Sequence, residues 1–137
     1  MKKIMILFLF CCIIGMLKSD DIQPIKYTAE ELTREAEKVR KENDTTWIEF
    51  DNLIKVTGEI FYLEINEGLQ YLIMKFKGHY SDSIVTINCY WNTELEKFLK
   101  LSLKNQVTII SNMYAFKNFP NSDFEETIII NAKIVTN

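Results

Sequence analysis

Few residues of this 137-residue chain could carry out a reaction. It has one histidine, His79, and three cysteines, Cys11, Cys12 and Cys89. A thiol nucleophile would need a base beside it, and no motif joins Cys89 to His79. A zinc site needs three or four nitrogen and sulfur ligands, more than His79 and Cys89 supply. Cys89 lies in the alternating run Ile87-Asn88-Cys89-Tyr90-Trp91 and reads as a small buried hydrophobe. The acid pairs Asp20-Asp21 and Glu125-Glu126 fall near element ends, where carboxylates are ordinarily solvated. Nothing marks them as the two carboxylates of a hydrolase. Gly58, Gly68 and Gly78 do not form a phosphate-cradling pattern. The expectation is a protein that is not an enzyme, with no catalytic residue, cofactor or metal.

Binding chemistry is better represented. Met74-Lys75-Phe76-Lys77-Gly78-His79-Tyr80 interleaves cations with rings. With Tyr71 and Tyr90 it could stack bases and neutralise a backbone, or simply carry solubilising lysines. His79 itself reads as a solvent-facing loop residue. Tyr114, Phe116, Phe119 and Phe124 crowd a second stretch, read as a loop over 114–124. Rings exposed there would mark a surface for a protein or glycan. The candidate binding residues are Tyr71, Lys75, Lys77, Tyr90, Tyr114, Phe116 and Phe119.

Charge decides between these readings. The first 19 residues hold three of the 16 basic residues and none of the 19 acids. The remaining 118 residues carry 13 Lys and Arg against 19 Asp and Glu, a net charge of −6. Affinity for nucleic acid comes largely from cations neutralising phosphates. Nucleic acid is therefore not the expected partner; an envelope protein or a glycan is.

The same 19 residues look like an address. Lys2 and Lys3 precede a run over 4–17 that is apolar except for Gly15, and Lys18-Ser19-Asp20-Asp21 follows. A basic start, a short apolar core and a small residue make the pattern of a secretory signal peptide, cut after Ser19. Fourteen helical residues span about 21 Å, short of a bilayer core of about 30 Å. Retention as an anchor, or lipid on Cys11 or Cys12, remains open. The expected localisation is exported, periplasmic or extracellular, with a membrane contact only through this segment.

The elements that must position the candidate residues follow from periodicity. Residues 20–26, with Pro24, read as a tether. Thr28 and Glu31 have capping-box spacing, and Leu32, Ala36 and Val39 form one helical stripe. From Phe50 the period becomes two. Ile54, Val56, Gly58, Ile60 and Tyr62 share one face of a strand, with a bulge or bend expected at Gly58. Residues 69–77 form a second strand with Leu72, Met74 and Phe76 in phase. Residues 83–91 form a third with Val85, Ile87, Cys89 and Trp91 in phase. A second capping box, Thr93 and Glu96, opens a short helix carrying Leu95, Phe98 and Leu99. Asn105 suits a left-handed turn. Residues 106–113 and 126–135 complete five strands, the last with Ile128, Ile130, Ala132 and Ile134 in phase.

A helix, three strands, a short helix and two strands is the order of an OB-fold, a five-stranded Greek-key barrel. The fold class expected is mainly β: that barrel with an N-terminal helix and a short helix between strands 3 and 4. One domain is expected over 27–137, since a chain of this length supports one core.

The residues also resemble a family of bacterial envelope OB-fold proteins called tRNA anticodon-like. The stretches that carry the resemblance are Tyr27-Thr28-Ala29-Glu30-Glu31-Leu32, Val56-Thr57-Gly58-Glu59-Ile60, Cys89-Tyr90-Trp91 and the run from Leu103 to Ser111. Asn105 and Ser111 stand where the family has glycine. The resemblance spans 27–135 and implies the fold and an envelope location, but no reaction. The function expected is an exported binding or structural module at the cell envelope, with a single-strand nucleic-acid binder as the alternative.

Overall fold

The structure is a computed structural model, and it describes residues 23–42, 47–118 and 125–136. Its strands are β1 (Ile25–Thr28), β2 (Trp47–Phe50), β3 (Ile54–Asn66), β4 (Tyr71–Lys77), β5 (Ser83–Cys89), β6 (Gln106–Ser111), β7 (Met113–Asn118) and β8 (Glu125–Val135). Among the described residues there are also two helices, α1 (Ala29–Glu42) and α2 (Trp91–Leu99). The signal-peptide expectation over 1–19 lies outside the described residues.

The fold is mainly β, and five strands close a barrel consistent with an OB-fold. β3 pairs antiparallel with β4, β4 with β5, β8 with β6, and β6 with β3, while β5 and β8 run parallel. β3 closes the ring because it is long. Its first half, Ile54 to Glu59, pairs with β6, and its second half, from Ile60, pairs with β4. Inside lie Ile54, Val56, Ile60, Leu72, Met74, Phe76, Val85, Ile87, Ile109 and Ile129, all fully buried. These are the alternate positions that a half-buried strand devotes to its core.

Three strands extend the expected five. β1 lies parallel to the start of β3, so the tether expected over 20–26 gives way to a strand at Ile25, and a strand rather than a helix comes first. The loop expected over 114–124 is instead β7 as far as Asn118. β7 pairs with β8 on one side and with β2 on the other.

Two bulges shift the phase of the alternation. On β3, Ile60 faces Phe76 and Tyr62 faces Lys75, so Phe61 is an extra residue. The bulge falls there and not at Gly58. Gly58 is small for a different reason: a Cβ on it would stand 2.5 Å from the Phe76 ring. On β8, Ile129 faces Ile87 and Ala132 faces Cys89, with Asn131 at φ 57° between them. Ile128 and Ile130 therefore point outward, out of phase with buried Ala132 and Ile134.

The helices cover opposite ends of the barrel. α1 begins at the expected capping box: the Glu31 amide donates to Thr28 Oγ1 at 3.1 Å, and the Thr28 amide to Glu31 Oε2 at 3.4 Å. Leu32 and Ala36 are buried and Val39 packs beside them. α2 starts earlier than expected. Trp91 is its first residue instead of the last of a strand, and Tyr90 is its N-cap without a side-chain bond, so Thr93 caps nothing. Phe98 inserts into the core from this helix. Buried Glu94 accepts the Ile134 amide, and Lys97 reaches both that carboxylate and the Ile134 carbonyl. The left-handed residue before β6 is Lys104, φ 72°, one position before Asn105.

Candidate functional site

The seven expected binding residues do not converge on one site. Tyr114 and Phe116 are core residues, 5% and 4% exposed. The Tyr114 ring stacks on Phe50 of β2 and the Phe116 ring packs tilted against it, both at a centroid distance of 5.0 Å, beneath strands that pair as β2–β7. They are not a ligand rim, because the stretch that carries them is paired strand and not loop. Phe119 lies outside the described residues. Tyr90 is 43% exposed and lines a groove of about 460 Å³ with Leu53, Thr93, Asn131 and Lys133, away from β4. Lys77 reaches Glu59 at 4.0 Å.

Tyr71 and Lys75 do belong to a cluster, and its other members were hidden by the bulge. Past Phe61 the odd-numbered residues of β3 turn inward and the even ones outward. Tyr62 and Glu64 thereby join Tyr71, Ile73 and Lys75 on the outer face. The Lys75 ammonium sits 4.8 Å from the Tyr62 ring centroid, a cation–π contact. The Tyr62 hydroxyl donates to Glu64 Oε1, and the Asn66 amide donates to the Tyr71 hydroxyl at 3.3 Å. The bond from Tyr62, and then that from Tyr71, hold the Glu64 carboxyl below its ordinary pKa. Bonding to Glu64 raises both tyrosines in return, so their hydroxyls stay protonated at neutral pH. The result is two rings fixed by one carboxylate, with a lysine laid over one of them.

Register extends this face across the sheet. Lys75 faces Thr86 of β5, Thr86 faces Ile128 of β8, and Ile128 faces Ala115 of β7. The next row runs Ile73, Asn88 and then Ile130 beside Met113. The centre is thus apolar and amide-bearing, rimmed by Tyr62, Tyr71, Lys75 and Glu126. A surface of this kind can stack against rings and exchange hydrogen bonds. It has few free cations for a polyanion.

A second cluster lies under α1. The expectation of a solvent-facing His79 is overturned, for its side chain is 12% exposed. Its amide donates to Thr33 Oγ1 at 2.9 Å, its Nδ1 lies 2.9 Å from the same oxygen, and its Nε2 lies 2.7 Å from Glu37 Oε2. Ser83 Oγ is 3.4 Å from Nδ1. Serine, histidine and carboxylate therefore lie in line, but Ser83 is 1% exposed and Thr33 already occupies Nδ1. A buried hydroxyl cannot meet a substrate, so this array fastens α1 to the β4–β5 loop.

Beside it, Arg40 of α1 lies 2.8 Å from Glu125 Oε1 of β8. Burial raises the Glu125 pKa, Arg40 opposes that rise, and the Tyr80 hydroxyl bonds to the same carboxyl. Burial, then the Glu125 charge, push the Tyr80 hydroxyl to about 12. Burial likewise drives the Cys89 thiol to about 12, so it stays protonated at neutral pH.

Comparison with solved structures gives the fold. The chain is similar to the crystal structure of a "putative nucleic acid-binding lipoprotein" from Klebsiella pneumoniae subsp. pneumoniae MGH 78578. The TM-score is 0.55 at 16% identity, over 82% of this chain and 92% of that one. It also matches the S. pombe Stn1-Ten1 complex at TM-score 0.38 and 14% identity, over 62% of this chain and 59% of that one. No family model and no curated protein sequence matches the chain. At such identity the first likeness shows a shared fold alone. This chain has the architecture of an OB-fold protein, the common host of binding surfaces.

Proposed function

We propose that the protein is a non-enzymatic OB-fold binding module, exported to the bacterial envelope, whose ligand is a glycan or protein segment. Its barrel would be the Greek-key form, of the kind that the tRNA anticodon-like resemblance implies. The single observation that carries the reading is the Tyr62–Glu64–Tyr71–Lys75 cluster on the outer face of β3 and β4. Rings pinned by a hydrogen-bonded carboxylate lose little freedom when a ligand stacks on them, which favours binding. Export is supported by the basic, apolar and small-residue order of the first 19 residues.

The test is a triple variant, Tyr62→Ala, Tyr71→Ala and Lys75→Ala. It should fold with a melting temperature close to wild type, because these side chains lie outside the core, and lose capture of the partner held from envelope extract. Undiminished capture overturns the assignment of the face.

A second reading takes the ligand to be single-stranded nucleic acid. Two observations favour it: the lysine over an outward ring, and the words nucleic acid-binding in the description of the similar Klebsiella protein. The net charge opposes it. Fluorescence anisotropy of a labelled oligothymidylate at low salt decides: a salt-sensitive rise supports this reading, and a flat titration dismisses it.

A further inference from the structure

The barrel carries a basic face on its far side, which the binding reading does not use. In β1 and β3, Lys26 pairs with Lys55; Lys55 pairs with Ile110 of β6, and Ile110 with Lys133 of β8. Residues in one row of a sheet point the same way, so three lysines share one face. Strands lie about 4.8 Å apart, which puts Lys26 beside Lys55 and Lys133 two strands further on. Lys26 and Lys133 are exposed and Lys55 is half-buried. No ion pair engages any of them among the described residues. The nearest carboxylate along β3 is Glu59, four residues from Lys55. That is about 13 Å in a strand, beyond the screening length of about 8–10 Å at physiological salt. Glu59 already faces Lys77. The neighbouring row consists of Thr28, Thr57, Thr108 and Val135, with no charge.

We propose that this lysine face of β1, β3, β6 and β8 docks on an anionic phospholipid bilayer. Charge complementarity is the first argument, because the row sets three cations without an ion pair on one sheet face and the row beside it carries no charge. The second is the origin of the chain. The apolar run ends at Leu17 and Lys18 follows it. Lys26 stands nine positions after Leu17, a reach of at most about 32 Å even fully extended. Any hold of that segment on a bilayer keeps β1 close to the lipid headgroups, and β1 opens the lysine row. Tyr90, 43% exposed, borders the same face in the groove it shares with Leu53 and Lys133. Its ring could enter the headgroup layer as the lysines meet phosphates. The surface lies across the barrel from Tyr62 and Tyr71, so the two proposals fail separately.

The experiment uses the full chain, which gives the N-terminal segment the same weight in every variant. Co-sedimentation is measured with vesicles of phosphatidylcholine alone and with vesicles containing phosphatidylglycerol. Replacing all three lysines, Lys26→Gln, Lys55→Gln and Lys133→Gln, should weaken partition into anionic vesicles by about 100-fold, at about fivefold per lysine. Partition into neutral vesicles should not change. The control Lys38→Gln, Lys100→Gln and Lys104→Gln alters the net charge equally and should retain wild-type partition. Added salt should erase the difference between wild type and the first variant. Equal partition of wild type and the first variant overturns the proposal. So does an equal loss in the control, which would mean net charge alone. Lysine-dependent binding of an oligothymidylate without vesicle binding would also overturn it and assign the face to nucleic acid. Far-ultraviolet circular dichroism confirms that each variant is folded.

Discussion

Gly58 and Phe76 touch across β3 and β4, and that contact dictates the glycine. Its backbone needs no unusual dihedral; the constraint is the ring 2.5 Å from where a Cβ would stand. Gly58→Ala should therefore cost about 1–3 kcal/mol, as overpacking does in a dense core. Urea unfolding measures it. Adding Phe76→Leu to the same chain should recover part of the loss, and failure to recover would mean that the strain lies in the backbone. Ser111 shows the opposite case, a larger residue that is useful. Its hydroxyl donates to the Ile130 carbonyl and accepts the Met113 amide, holding the turn from β6 into β7 against β8.

At the level of elements, α1 is attached by two polar pairs whose acids respond oppositely to pH. Hydrogen bonds from Lys41 and then His79 depress the Glu37 pKa. A depressed carboxylate stabilises the fold above its unfolded pKa, and that contribution is lost as pH falls through the folded value. Glu125 is raised, chiefly by burial. A raised carboxylate takes up its proton more readily in the folded state, so the fold gains stability as pH falls through the raised value. It follows that wild type should gain melting temperature relative to Glu125→Gln as the pH is lowered from neutral toward the ordinary carboxylate range. Thermal unfolding of both chains across that window tests the sign. An opposite slope would show that the Arg40 pair outweighs desolvation.

For the whole molecule, β2 and β7 enlarge the core beyond the five-stranded barrel. Phe50, Tyr114 and Phe116 form an aromatic group that belongs to the same buried cluster as Leu72 and Ile129 or packs against it. Phe116→Ala should accordingly cost about 3–5 kcal/mol, measured by chemical unfolding, whereas Tyr62→Ala should cost little stability and act on binding. A Phe116 variant with full stability and lost binding would return that ring to the surface. The charged faces also divide at this scale. The acidic excess is spread over the molecule, while Lys26, Lys55 and Lys133 meet only because four strands distant in sequence lie side by side.

Much of this was open to reading along the chain. The Thr28–Glu31 cap, the alternation of β4 and β5 and the order of barrel strands are local patterns, fixed by residues within a turn or a pleat of one another. They sufficed to expect an OB-fold, and to place Tyr71 and Lys75 on an outer face. The rest depended on partners far away in sequence. Phe61 is an extra residue only relative to β4, and Asn131 only relative to β5, yet those two bulges decide that Tyr62, Ile128 and Ile130 face outward. Tyr114 and Phe116 read as loop aromatics until β2 and β8 flank them, and His79 reads as solvated until Thr33 and Glu37 arrive on α1. Local periodicity determined which elements form. Tertiary pairing decided the faces those elements show, because a shift of one residue in register inverts every side chain beyond it.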